Sequence, residues 1–159
     1  RFLSYYLICG IGAGLIQMGV NAIEYYHLAG MLSNVDLHHI LSEGTSILNQ
    51  GKNYIDSTAG SINLLINMPT VGASGAIYGI LLAFGVFFPN NPIYIMFIPY
   101  PIKAKWVIVG YAAIELMLGM GHANTGIAHF AHLGGMIFGF LMILYWKKTG
   151  TIRKNDNYY

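Results

Sequence analysis

The chain has 159 residues, 55% of them hydrophobic and only 9% charged, where soluble domains carry about 25% charged residues. Its mean hydropathy of +0.54 places it with membrane proteins, and one helical bundle in the bilayer suits this length better than two soluble domains. A net charge of +2 on scattered basic residues argues against a nucleic-acid surface, and a single cysteine, Cys9, excludes an intramolecular disulfide.

Four segments have enough unbroken hydrophobicity to be tested as membrane spans, which need roughly 17 to 25 residues. The first covers residues 2–26 and meets no charge before Glu24. Residues 28–70 follow, with Asp36, Glu43, Asp56, the pair His38 and His39, and amphipathic pieces such as "LHHILSEGTSIL". This stretch is too polar to cross, so an extramembrane loop with one or two short interfacial helices is expected. The second span, 71–88, is free of charge and stops at "PNNP". "IYIMFIPYPI" is too short to cross and holds Pro99 and Pro101, so it is expected to be an interfacial connection. The third span, 105–120, contains one carboxylate, Glu115, and the fourth, 127–146, is apolar except for His129 and His132. The resulting membrane domain is 1–146, and residues 147–159 form a polar tail.

With four alternating spans, Arg1, Lys103, Lys105, Lys147, Lys148, Arg153 and Lys154 fall on one side and only Lys52 on the other. The bias of lysine and arginine makes the first side, with the C-terminal tail, cytoplasmic. Tyr5, Tyr6, Trp106 and Trp146 sit beside those charges, where an aromatic belt is expected.

The second and fourth spans carry faces of small residues. Gly75 and Gly79 are four apart on one, and Gly135 and Gly139 are four apart on the other, so both helices can approach closely. Ser74 and His132 lie at the lips of that contact. A serine hydroxyl becomes a useful nucleophile only beside a base that accepts its proton, and His132 would be that base. Tyr78, one turn beyond Ser74, would hold the imidazole by stacking. The start of a helix would also aim free N–H groups at a developing oxyanion. The same residues have plainer readings: serine among small residues is ordinary packing glue, and Tyr78 an ordinary interface aromatic. His129 and His132 are spaced for a metal, but no third ligand has helical spacing and HExxH is absent, so a metal is the weaker reading. Glu115 reads as paired with a polar partner near the outer interface rather than as a proton relay.

Taken together, "GASGAIYG" and "AHFAHLGGMIFG" resemble the rhomboid family of intramembrane serine proteases, whose motifs are GxSG on the fourth helix and AHxxG with a later glycine on the sixth. Gly72, Ser74 and Gly75 match the first, and Ala131, His132, Gly135 and Gly139 the second. The resemblance implies an all-α, polytopic membrane bundle with about four transmembrane helices present, corresponding to helices three to six of the family core. It implies Ser74 as nucleophile, His132 as base, Gly72, Gly75 and Tyr78 as oxyanion and site support, and Gly79, Gly135 and Gly139 as packing residues. It further implies cleavage of transmembrane protein substrates within a lipid bilayer, with no metal or organic cofactor and no nucleic acid involved. Abundant isoleucine, tyrosine, asparagine and lysine suggest a bacterial inner membrane.

The family's second helix carries HxxxN, which helps to form the oxyanion hole, whereas neither His38 nor His39 here is followed by asparagine at the fourth position. The resemblance therefore implies that the first two helices lie outside this chain, that it is the C-terminal part of a longer protein, and that by itself it is inactive or badly impaired. Loss of one oxyanion donor costs on the order of 100-fold or more. Two alternatives compete: a non-catalytic rhomboid-like adaptor that binds transmembrane clients, and part of a proton-coupled transporter using Glu115 and the histidines.

Overall fold

The structure, a computed structural model, describes residues 1–68, 73–96, 99–121 and 128–152. Its elements in chain order are α1 (Phe2–Ala29), α2 (Asn34–Asn49), α3 (Ser57–Asn67), α4 (Ala73–Phe87), β1 (Pro92–Ile93), β2 (Ile102–Lys103), α5 (Ala104–Met120) and α6 (His129–Lys148). They fall into two compact units. One comprises residues 1–17 with 71–159, and the other residues 18–70.

In the first unit, the opening half of α1 packs on α4 and α6, and α5 packs on α4 and α6 as well. Side chains of α1 run past α4 and α6 in reverse order: Ala13 meets Gly75 and Gly134, while Cys9 meets Gly79 and Gly139. Thus α4 and α6 are parallel to each other and antiparallel to α1. α5 is antiparallel to α4 as well, since Ile108 packs on Gly85 near the end of α4, and Glu115 reaches Tyr78 near its start. The β1–β2 pair, antiparallel with Pro92 opposite Lys103 and Ile93 opposite Ile102, stands at the two ends of the segment expected to be an interfacial connection.

The burial pattern is inside-out relative to a soluble protein. α1 buries Tyr5, Cys9, Gly12 and Ala13 while exposing Leu3, Leu7, Ile11 and Leu15, and α6 buries Gly134, Gly135 and Gly139 while exposing Ile137, Phe140, Leu141 and Leu144. Large apolar side chains facing outward suit hydrocarbon, and small residues facing inward let helices associate where lipid supplies no hydrophobic drive. Among the described residues, α1 and α6 are long and apolar enough to cross a membrane, and α4 is a shorter apolar helix of 15 residues. Residues 71, 72 and 127 of the expected spans, and 153–159 of the expected tail, lie outside the described residues.

Two sequence expectations change. α6 continues through Lys148, beyond residue 146, because nothing breaks it until Gly150, which takes φ +69°; the Thr151 N–H then bonds to the Trp146 carbonyl at 2.9 Å, closing a Schellman turn. Tyr5 is buried rather than in an aromatic belt, because its hydroxyl finds an acceptor inside the bundle, the Gly79 carbonyl at 2.8 Å. Arg1 Nη1 reaches the Thr151 carbonyl at 3.4 Å, so the first residue and the end of α6 lie together.

The second unit is built from the remainder of α1 with α2 and α3, around Ile40, Ala59 and Ile62. Ser33 caps α2 by accepting from the Asp36 N–H, and Asp56 caps α3 by accepting from the Ala59 N–H at 2.8 Å. A chain of polar bonds ties the unit together: Thr45 Oγ1 donates to Asn67, Asn67 Nδ2 to Asn63, and Asn63 Nδ2 to Asn53, which in turn donates to the Gly60 carbonyl. Asn63 is fully buried and lies where a side chain at position 44 would stand, so Gly44 makes room for it.

Candidate active site

Ser74 is the second residue of α4, and His132 lies one turn into α6. Because the helices are parallel, both residues come to the same end of the contact. His132 Nε2 is 3.0 Å from Ser74 Oγ, a hydrogen-bonding distance. The imidazole lies flat against Tyr78, with ring centroids 4.1 Å apart and planes 7° from parallel. Tyr111 packs edge-on against the other ring of this stack, at 6.3 Å from Tyr78. The ring of His132 is therefore fixed in plane and in direction.

The closeness comes from absent side chains. A Cβ on Gly135 would fall on the carbonyl of Gly75, and one on Gly75 would meet Ala13 and the Ala131 carbonyl. Gly79 and Gly139 do related work toward α1: a Cβ on either would meet Cys9, and one on Gly139 also the hydroxyl of Tyr5. The two pairs of glycines thus serve a three-helix junction rather than one α4–α6 seam. Gly72, expected among the oxyanion residues, lies outside the described residues. At the head of α6, Gln17 Oε1 accepts from the Ala131 N–H at 3.0 Å, so a side chain of α1 binds the first turn that carries His132.

Glu115 enters the same site from α5. Its side chain is buried, accepts from the Tyr78 hydroxyl on Oε1, and lies 2.7 Å from His129 Nδ1 on Oε2. His132 Nδ1 stands 3.0 Å from Oε1. That nitrogen is buried and lies within hydrogen-bond distance of the carboxylate without an aligned hydrogen bond, so the link is a close polar contact. No third donor has helical spacing with His129 and His132 along α6, but α5 brings one beside them. Ligand atoms of Glu115, His129 and His132 lie within 4.8 Å of one another, and spacing along α6 could not reveal a donor supplied by α5. The carboxylate already accepts from Tyr78 and His129, so a cation there would have to displace those protons.

The sequence reading paired Glu115 with a polar partner, and the structure gives it Tyr78 and His129; its place beside His132 was not foreseen. The signal present was the carboxylate itself, the only acidic residue in α5, since an ionisable group in an apolar helix marks a functional site by default.

No curated protein and no solved structure matches the chain. The rhomboid domain matches residues 1–148. That span takes in all six helices and both halves of the Ser74–His132 contact, and with lipid-suited faces outside and glycine seams inside, the chain belongs to the rhomboid family of membrane proteins.

Proposed function

We propose that the chain carries the catalytic residues of an intramembrane serine endopeptidase that cleaves transmembrane protein substrates with a Ser74–His132 dyad. The observation that supports this most directly is the 3.0 Å approach of Ser74 Oγ to His132 Nε2, with the ring held by Tyr78. Ser74 Oγ attacks the scissile carbonyl carbon as its proton passes to Nε2. The carbon–nitrogen bond then breaks, and the same proton goes to the departing amine. Water attacks the resulting ester, delivers a proton to Nε2, and the acid leaves as that proton returns to Ser74. First-turn N–H groups of α4, among them that of Gly75, lack helical partners and suit the transient oxyanion.

A substrate helix in lipid has its amides satisfied internally. It must unwind before Ser74 can reach a carbonyl, so substrates with weak helices near the cut and small side chains there fit a site crowded by Gly75, Gly135 and Ala131. The excess of lysine and arginine near the start of α1 and the end of α6 supports a cytoplasmic location for that end, with Ser74 toward the opposite face.

The test is covalent. In the full-length protein reconstituted in lipid, a fluorophosphonate probe is expected to label Ser74, and labelling should be lost in Ser74→Ala and strongly reduced in His132→Ala. A chain that cleaves no reporter and takes no label would instead be a client-binding adaptor.

A further inference from the structure

We infer that Glu115 is a positioning residue for His132, turning the serine–histidine pair into a Ser74–His132–Glu115 relay, with Tyr78 and His129 holding the carboxylate. This rests on the proposed hydrolytic reading of the site.

For His132 to accept the proton of Ser74, Nε2 must be bare, so the single proton of the neutral ring must sit on Nδ1. The group facing Nδ1 is Glu115 Oε1, 3.0 Å away. A carboxylate there favours the Nδ1–H tautomer and stabilises the imidazolium that forms as Ser74 attacks, which is the part an aspartate takes in soluble triads. The carboxylate is itself fixed from two sides, by the Tyr78 hydroxyl on Oε1 and His129 Nδ1 on Oε2. Tyr78 therefore acts on both partners: its ring sets the plane of the imidazole and its hydroxyl sets the position of the anion. In the resting site Nδ1 lies beside Oε1 without an aligned hydrogen bond, and catalytic hydrogen bonds commonly align only when substrate is bound.

The titratable groups that face His132 are Tyr78 from α4, Glu115 from α5 and His129 from α6. α1, packed on the same helix, presents Ala13, Ile16 and Gln17 to the first turns of α6, none of them charged. Glu115 is thus the one anion among the described residues that can act on the ring at contact distance.

The test uses the full-length protein in proteoliposomes and a transmembrane reporter. Glu115→Gln should lower kcat by about 100-fold or more, since replacing the triad aspartate by its amide costs about 10⁴ in a soluble protease. KM should stay within about twofold, so that the loss falls on kcat alone. Glu115→Asp, which keeps the carboxylate, should restore at least part of the rate. Equal kcat in Glu115→Gln, or no rescue by Glu115→Asp, would overturn the inference while leaving the Ser74 labelling result intact. Should Glu115→Gln not fold, ¹⁵N-histidine spectra of the unaltered protein decide: His132 in its neutral form should carry its proton on Nδ1, and an Nε2–H tautomer refutes the relay. Activity lost to 1,10-phenanthroline and restored by zinc would also refute it, because the three side chains would then be metal ligands.

Discussion

Ser74→Ala and His132→Ala are each expected to bring cleavage of a transmembrane reporter down to background, and the double variant is expected to be no slower than either single one. In a soluble serine protease, loss of nucleophile or base alone costs about 10⁶ in kcat, nearly as much as losing both, because neither acts without the other. The same non-additivity should hold here, since the hydroxyl and Nε2 form one proton-transfer unit at 3.0 Å. Ser74→Ala removes a single hydroxyl and should leave thermal unfolding close to the parent, whereas His132→Ala empties a buried site against Tyr78 and should lower it while helical content is kept. Rates are measured in lipid against protein-free liposomes as zero. Independent effects that multiply, or substantial turnover in Ser74→Ala, would mean the two residues do not act as a dyad.

What the sequence made legible was local or repeated. The GxSG and AHxxG patterns placed Ser74 and His132 on two helices with small faces, and small faces on parallel helices leave few ways to pack. The apolar runs located α1, α4, α5 and α6 within a few residues. What stayed hidden required a third element. Glu115 is 37 positions from Tyr78 and 14 from His129, so no periodicity links them; only the antiparallel placement of α5 does. Gly139 faces α1 rather than α4 for a related reason: a glycine seam says that something approaches closely, without saying which helix. Tyr5 read as an interfacial aromatic because charge lay nearby, yet a carbonyl acceptor on Gly79 made burial of its hydroxyl favourable. In the second unit, the caps Ser33 and Asp56 were readable residue types, whereas the asparagine chain from Asn53 to Asn67 depended on the glycine at 44 leaving space for Asn63.

Gly135→Ala should be the most damaging single methyl in the bundle. The added carbon would fall on the carbonyl of Gly75, which is helix backbone and cannot rotate away, so α4 and α6 must separate. Overpacking of this kind costs roughly 1–3 kcal/mol, and the same shift acts on the chemistry, because Gly75 is next to Ser74 and Gly135 is one turn from His132. A displacement of about 1 Å at the reacting atoms costs about 100-fold in rate. The neighbouring positions should grade the effect. Gly139→Ala meets the hydroxyl of Tyr5 and the sulfur of Cys9, ends of side chains that can shift, so it should cost less, chiefly through the Tyr5 bond to Gly79. Gly14→Ala and Gly110→Ala have nothing within 4 Å and should gain up to about 1 kcal/mol from the lower backbone entropy of alanine in a helix. Thermal unfolding in detergent, read beside the cleavage rate, separates the cases. If Gly135→Ala were as stable and active as Gly110→Ala, the backbone contact between α4 and α6 would not be what holds Ser74 against His132.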